Sequence, residues 1–189
     1  LRGRDFYHKD LQVTLRFPPD WRVENLPDRL LSLPRANDAM LQLTTEPLNR
    51  RLTAREWLEQ KFDKAEIRSG EPVSVTGMDG YTALVELNTP FGQRPTRTAV
   101  FVHGKQVYLF LAASKADGAR PRQDAEFLAT IHSFRPMRAD EAALAEPRRI
   151  RVITAKTGDS FARLARDLEL NHHAEEILRL LNGMYPDGE

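Results

Sequence analysis

Alternation of apolar and polar positions marks the first stretch of the chain as strand. Val13, Leu15 and Phe17 alternate with Gln12, Thr14 and Arg16, the period-2 pattern of a half-buried strand. Pro18-Pro19-Asp20 closes it, and Trp21 and Val23 begin a second short apolar segment. Residues 30–33 and 40–45 read as two further strands, separated by a turn at residues 34–38. At Thr53 the period changes. Thr53-Ala-Arg-Glu56 is a capping-box pattern: the Thr hydroxyl takes a free helical N–H while the Glu reaches back to the Thr N–H. Ala54, Trp57, Leu58, Phe62 and Ala65 follow on one helical face, which predicts a helix over about residues 53–64.

Hairpin signals come next. Residues 72–76 are expected to pair with residues 81–87 across a turn at Gly77-Met-Asp-Gly80. A second turn falls near Phe91-Gly92 and a third at His103-Gly104-Lys105, where glycine supplies positive φ. Residues 107–113, Val-Tyr-Leu-Phe-Leu-Ala-Ala, are apolar on both faces and are expected in the middle of the sheet. Residues 122–132 read as a helix with Ala125, Leu128, Ala129 and His132 on one face, and Phe134 is expected to pack back on the sheet. The whole is an α+β domain over about residues 4–137, an antiparallel sheet with packed helices. This layout resembles the PsbP-like fold, a likeness that carries no function.

Residues 138–149 read as a connector, charged and proline-bearing, with room for a short helix at Glu141-Ala-Ala-Leu-Ala145. The last forty residues have a different character. Residues 150–154 are a strand candidate, and Gly158-Asp159-Ser160 opens a helix capped by Asp159 or Ser160. Phe161, Leu164, Ala165 and Leu168 keep helical spacing; so do Ala174, Ile177, Leu178 and Leu181 after Asn171-His172-His173. Gly183 is a C-terminal stop. Charge also divides the chain: residues 139–189 carry net −3 and the remainder net +4.

Composition narrows the function classes. The 189 residues are 41% hydrophobic and 29% charged, which is ordinary for a folded protein, and no apolar run is long enough for a transmembrane helix. A net charge of +1 gives no electrostatic case for nucleic acid. The absence of cysteine removes disulfides, thiolate metal sites and Cys nucleophiles. The first residues, Leu1-Arg-Gly-Arg-Asp-Phe6, hold no initiator Met and no signal core, so the chain is expected to be a segment of a longer protein with any signal or anchor elsewhere.

Catalytic signatures are missing. A zinc-peptidase helix needs two His at i and i+4, and His8, His103, His132, His172 and His173 never take that spacing. His172 and His173 would point about 100° apart on a helix, so a metal site there is not expected. No nucleophile elbow, P-loop or dinucleotide fingerprint occurs. Asp79 and Asp117 sit in turn-like contexts that select no acid–base pair, and Arg148-Arg149-Ile-Arg151 reads first as a solvated edge. Trp21 and Trp57 read as core.

Two resemblances add to this. The run Val152-Ile-Thr-Ala-Lys-Thr-Gly158-Asp159-Ser160-Phe-Ala-Arg-Leu164-Ala165, with Leu180-Leu181-Asn182-Gly183, resembles a LysM module, here a small β-α-α unit over residues 150–189. The module's closing strand is absent, so the lone strand has no partner; the tail is expected to be cut short or to continue beyond residue 189. The resemblance implies that Gly158, Asp159, Ser160 and Phe161, with Asn182, Gly183 and Met184, form a shallow groove whose backbone groups bind the N-acetyl groups of glycans. Over a wider span, an apolar hairpin (Gln106-Val-Tyr-Leu-Phe-Leu111), Ile131-His-Ser-Phe-Arg135, a connector with Glu141, and Arg149 to Asp159 follow in an order similar to the C-terminal region of bacterial periplasmic CAAX-prenyl-protease-like zinc metallopeptidases. That resemblance implies a non-catalytic accessory region in the periplasm or cell envelope, with no cofactor in this chain and zinc in an absent catalytic domain. The expected partners are that parent domain and peptidoglycan or envelope proteins. A protein-interaction module that limits access to the protease cleft, a stand-alone envelope binding protein and an enzyme of unrecognised type stay open as alternatives.

Overall fold

In a computed structural model that describes residues 1–115, 118–146, 150–166, 168 and 173–186, the side chain of Ala65 excepted, the alternating segments form two antiparallel sheets. Asp117, Arg148, Arg149 and His172, singled out above, lie outside the described residues. By its contacts the chain divides into two units, Leu1–Pro147 and Arg148–Glu189.

The first unit holds strands β1 (Asp5–His8), β2 (Val13–Arg16), β3 (Arg22–Asn25), β4 (Leu30–Leu33) and β5 (Ala39–Pro47), then helix α1 (Ala54–Lys61). There follow β6 (Ile67–Val75), β7 (Met78–Thr89), β8 (Gly92–His103), β9 (Gln106–Ser114), helix α2 (Asp124–Ser133), β10 (Arg135–Pro136) and a 3₁₀ turn at Ala139–Ala145. Seven strands join in the order β3-β4-β5-β9-β8-β7-β6, and three in the order β1-β2-β10. β9 pairs with both β5 and β8, which is why residues 107–113 are apolar on both faces.

One face of the large sheet carries Leu41, Ala99, Phe101 and Phe110, packed against Val13 and Leu15 of the small sheet and Phe127 and Ile131 of α2. Phe134 closes this core: its ring lies 5.3, 5.1 and 5.2 Å from those of Phe101, Tyr108 and Phe110. The opposite face carries Ala83, Val85, Val100 and Leu109 under α1, which buries Ala54, Trp57 and Leu58. The capping box forms as read: Glu56 N–H donates to Thr53 Oγ1 at 3.2 Å and Thr53 N–H to Glu56 Oε2 at 2.8 Å.

Several expectations are corrected. α1 ends at Lys61, three residues early, because Phe62 turns extended to reach the sheet. The β6–β7 hairpin turns on Thr76 and Gly77 alone, with Gly77 at φ +77°, so Met78 and Gly80 are strand residues. α2 buries Asp124, Phe127, Thr130 and Ile131, whereas the expected Ala125, Ala129 and His132 are exposed and Leu128 is half-buried. The larger side chains set the helix phase, since two aromatic and branched residues bury more apolar area than two alanines.

The first half of the expected connector is fastened to the domain. Arg135 Nη1 and Nη2 donate to Glu141 Oε2 and Oε1 at 2.8 and 2.6 Å, and Arg138 N–H donates to Oε2 at 2.9 Å.

In the second unit, helices α3 (Phe161–Arg166) and α4 (Ala174–Leu181) form. The expected strand at 150–154 does not: these residues take no regular structure, and Val152 is 93% exposed. Among the described residues no strand pairs with this segment, so it has no ladder to join.

Candidate functional site

Within the second unit, local chemistry shapes the two loops that flank the helices. Gly158 sits at φ +89°, a left-handed turn position that a side chain would strain. Asp159 Oδ2 accepts the Lys156 N–H at 2.8 Å and closes that turn. Ser160 is the cap of α3: its Oγ accepts the Arg163 N–H at 3.2 Å. α4 ends in a Schellman motif, with Gly183 at φ +69°, its N–H donating to Leu180 O at 3.1 Å and the Met184 N–H to Arg179 O at 2.8 Å. Asn182 Nδ2 donates to Leu178 O at 2.8 Å, which fixes that side chain to its own helix.

The seven residues expected from the sequence fall at these two helix ends, and one contact joins α3 to α4. The Arg179 guanidinium lies 5.2 Å from the centroid of the Phe161 ring. Phe161 begins α3 and Arg179 lies in the last turn of α4, so the start of one helix meets the end of the other. Arg179 also pairs with Glu175 at 3.0 Å, so its charge is answered within α4. Gly158, Ser160, Asn182, Gly183 and Met184 are exposed, while Asp159 and Phe161 are half-buried. The N–H groups of Asp159, Asn182, Gly183 and Met184 are bonded within their own turns, so the two helix ends present mainly backbone carbonyl oxygens beside one half-buried ring. Carbonyl oxygens and a ring suit a neutral ligand that donates an amide N–H and carries an apolar methyl or ring face. Arg179 was missed in the sequence; its signal was its place one turn before Asn182-Gly183.

Other candidates are accounted for structurally. Trp57 is buried, with Lys61 Nζ 5.4 Å above its ring, and Trp21 packs edge-on against Phe127. Asp79 lies in β7 and accepts a hydrogen bond from Ser74 at 3.3 Å. His173 Nδ1 lies 3.4 Å from Glu176 Oε1; the backbone N–H of Glu176 and then this contact hold that carboxyl below its ordinary range. Among the described residues no group of three His, Cys, Asp or Glu is placed to hold a metal ion. Among them, too, no helix is long and apolar enough to cross a membrane.

The first unit hides a charged pair. Arg97 Nε and Nη2 donate to Asp124 Oδ1 and Oδ2 at 2.7 and 2.8 Å, with side chains 3% and 12% exposed. Both carboxylate oxygens are taken, so the pair serves the fold and offers nothing to a substrate.

No protein-family model matches the sequence, and no curated protein matches it. Solved structures are similar in fold. The solution structure of cyanobacterial PsbP (CyanoP) from Synechocystis sp. PCC 6803 superposes with a TM-score of 0.51 at 11% identity, covering 72% of this chain and 94% of that one. A crystal structure from Bacteroides thetaiotaomicron VPI-5482 gives a TM-score of 0.48 at 13% identity, covering 75% of this chain and 51% of that one. The chain therefore has an α+β, PsbP-like fold, and the likeness extends to fold alone.

Proposed function

We propose that this chain is a non-catalytic module of the bacterial cell envelope, in which the second unit holds an N-acetylated glycan such as peptidoglycan. The contact of Phe161, at the start of α3, with Arg179, in the last turn of α4, is the observation that carries this reading, since it sets the two helix ends that bear the expected residues side by side. The exposed backbone carbonyls would accept the N–H of an acetamido group and the Phe161 ring would meet its methyl, while the Arg179 charge is answered by Glu175. In the same proposal, the first unit belongs to a periplasmic zinc metallopeptidase and positions its catalytic domain.

Two measurements test it. The full chain is sedimented with purified peptidoglycan and titrated with a chitin tetramer under NMR observation. Shift changes confined to residues 158–161 and 182–184, weakened by Met184→Asp, are expected. Failure to sediment, or changes that map to the sheets, would overturn the glycan reading. The peptidase half is read from the gene upstream of Leu1: a His-Glu-x-x-His helix is expected there, and its absence would end that half of the proposal.

A further inference from the structure

The outer face of the small sheet gathers polar side chains from three strands. In β2, Val13 and Leu15 enter the core, so the alternation turns Thr14 and Arg16 away from it. Pairing sets Asp5 of β1 opposite Arg16, and Arg135 of β10 opposite Thr14, on that same outer face. The end of α2 closes one side. Ser133 Oγ accepts the Arg16 N–H at 2.8 Å and donates to Thr130 O at 2.6 Å. Between these elements lies a pit of about 300 Å³, lined by Asp5, Thr14, Arg16, His132, Ser133 and Arg135.

Thr14 is the unusual member. It is 3% exposed, and its hydroxyl has no hydrogen-bond partner among the described residues. Thr82 and Ser114, buried as deeply, donate to Thr98 O at 2.8 Å and to Gln123 Oε1 at 2.5 Å. A hydroxyl so enclosed is costly to leave unpaired, and one that lines a pit calls for an acceptor from outside the chain. The guanidiniums beside it also have donors to spare. Asp5 takes two of the five N–H groups of Arg16. Glu141 and Pro136 O take three of those of Arg135. Charge agrees with this excess of donors. Asp5 and Glu141 answer two of the three arginines Arg16, Arg135 and Arg138, one positive charge remains, and His132 adds to it when protonated.

We propose that this pit binds a phosphoryl group, with the Thr14 hydroxyl and the spare N–H groups of Arg16 and Arg135 as its donors. A phosphoryl group offers three strong acceptor oxygens, so it can take bonds from three side chains at once. A planar carboxylate has two oxygens and serves one guanidinium edge better than three separate donors. The Arg16–Asp5 and Arg135–Glu141 pairs stay as they stand, since only the N–H groups they leave over are used. This inference rests on the first unit alone and does not depend on the glycan reading.

The test titrates the full chain with inorganic phosphate at constant ionic strength and follows backbone amide shifts. Saturable changes at residues 14–16 and 132–135 are expected. Changes spread over exposed lysines and arginines, without saturation, would overturn the proposal. Thr14→Val keeps the shape and removes the hydroxyl, so it is expected to weaken binding about tenfold, the loss of one hydrogen bond to a charged group, without lowering the melting temperature. Thr14→Ser restores the hydroxyl and is expected to bind within about threefold of wild type. Arg22→Gln removes the same charge as Arg16→Gln but from β3, and it is expected to leave affinity unchanged where Arg16→Gln weakens it. Unaltered binding by Thr14→Val, or equal losses for the two arginine variants, would overturn the proposal. So would acetate binding as tightly as phosphate. Glycerol 3-phosphate and vesicles of phosphatidic acid in phosphatidylcholine then separate the sources. Binding to the vesicles assigns a lipid headgroup, and binding to glycerol 3-phosphate without the vesicles assigns a free monoester. Binding of inorganic phosphate and of neither of these marks an adventitious ion only and overturns the site.

Discussion

Removing the carboxylate of Asp124 leaves a buried guanidinium with no partner, and the cost can be worked from the geometry. Arg97 enters from β8, where it pairs across the sheet with Leu84 and Ala112, and its side chain is 3% exposed. Arg stays charged at any ordinary pH, so it cannot escape by losing a proton. Its remaining neighbour is Thr82 Oγ1 at 3.4 Å, a neutral group already donating to Thr98 O. Breaking such a pair from one side costs about 3–5 kcal/mol. Asp124 also lies in the first turn of α2, where the helix dipole favours a negative charge by about 0.3–1 kcal/mol. Asp124→Ala should therefore lower stability by about 4 kcal/mol, against about 0–1 kcal/mol for an exposed pair. At about 2–4 °C per kcal/mol for a domain of this size, the midpoint falls by about 8–16 °C. Urea unfolding followed by tryptophan emission is the assay, because both tryptophans, Trp21 and Trp57, lie in the first unit and report on it alone. The double substitution Arg97→Met with Asp124→Leu removes both charges and should recover most of the loss. Raising salt should barely change the difference between wild type and Asp124→Ala, since the pair is largely shielded from solvent. A loss below 1 kcal/mol for Asp124→Ala, or a double variant no better than the single one, would refute the reasoning.

Three further outcomes follow from local contacts. The Glu141 carboxyl is pulled down to about 2, first by the Arg135 bonds, so its contribution is present above the ordinary carboxylate range and lost as pH falls towards 2. Because Arg135 and Arg138 are 27% and 66% exposed, solvent screening reduces that contribution to about 1–2 kcal/mol; the gap between wild type and Glu141→Gln in urea titrations should shrink steadily from pH 5 to pH 3. Thr53→Ala removes one half of the α1 capping box and should cost about 1 kcal/mol in the same assay. At Gly80 a Cβ would lie 2.5 Å from Phe101 Cδ1 and 2.6 Å from Val100 O, and the Phe101 ring is held by Phe110 and Phe134, so Gly80→Ala should cost about 1–3 kcal/mol.

What the sequence revealed was what short segments decide. The box at Thr53 and Glu56 spans four residues, and the doubly apolar run at 107–113 announces a central strand by itself, so both are read without knowing what lies across from them. The phase of α2 is a different matter. Ala125, Leu128, Ala129 and His132 have helical spacing as good as that of Phe127 and Ile131, so spacing does not choose the phase; the larger Phe127 and Ile131 do, Phe127 entering the core beside Trp21. The Arg97–Asp124 pair joins residues 27 apart in sequence, and an isolated Arg in a strand looks like an exposed one until the helix arrives above it. In the second unit the loops at Gly158 and Gly183 were legible because glycine and a capping residue carry their own conformational rules. The Arg179–Phe161 contact was not, because it depends on how two helices face each other.

The two units stand at opposite ends of a scale of self-sufficiency, and that bears on the glycan reading. The first buries apolar side chains on both faces of a seven-stranded sheet. In the second, none of the described residues is fully buried, and Ile150, Val152, Leu180 and Leu181 are 79%, 93%, 65% and 58% exposed. Helices of six and eight residues cannot hold by backbone bonds alone, because isolated helices shorter than about 12 residues are marginal in water. The folded form of this unit is therefore held by a small margin, which makes it sensitive to anything that binds it. A ligand present at a hundred times its dissociation constant adds about 2.7 kcal/mol to the folded state it binds. Under the proposed glycan reading, a ligand held where Phe161 of α3 and Arg179 of α4 meet would pin the two helices together and couple binding to the folding of this unit.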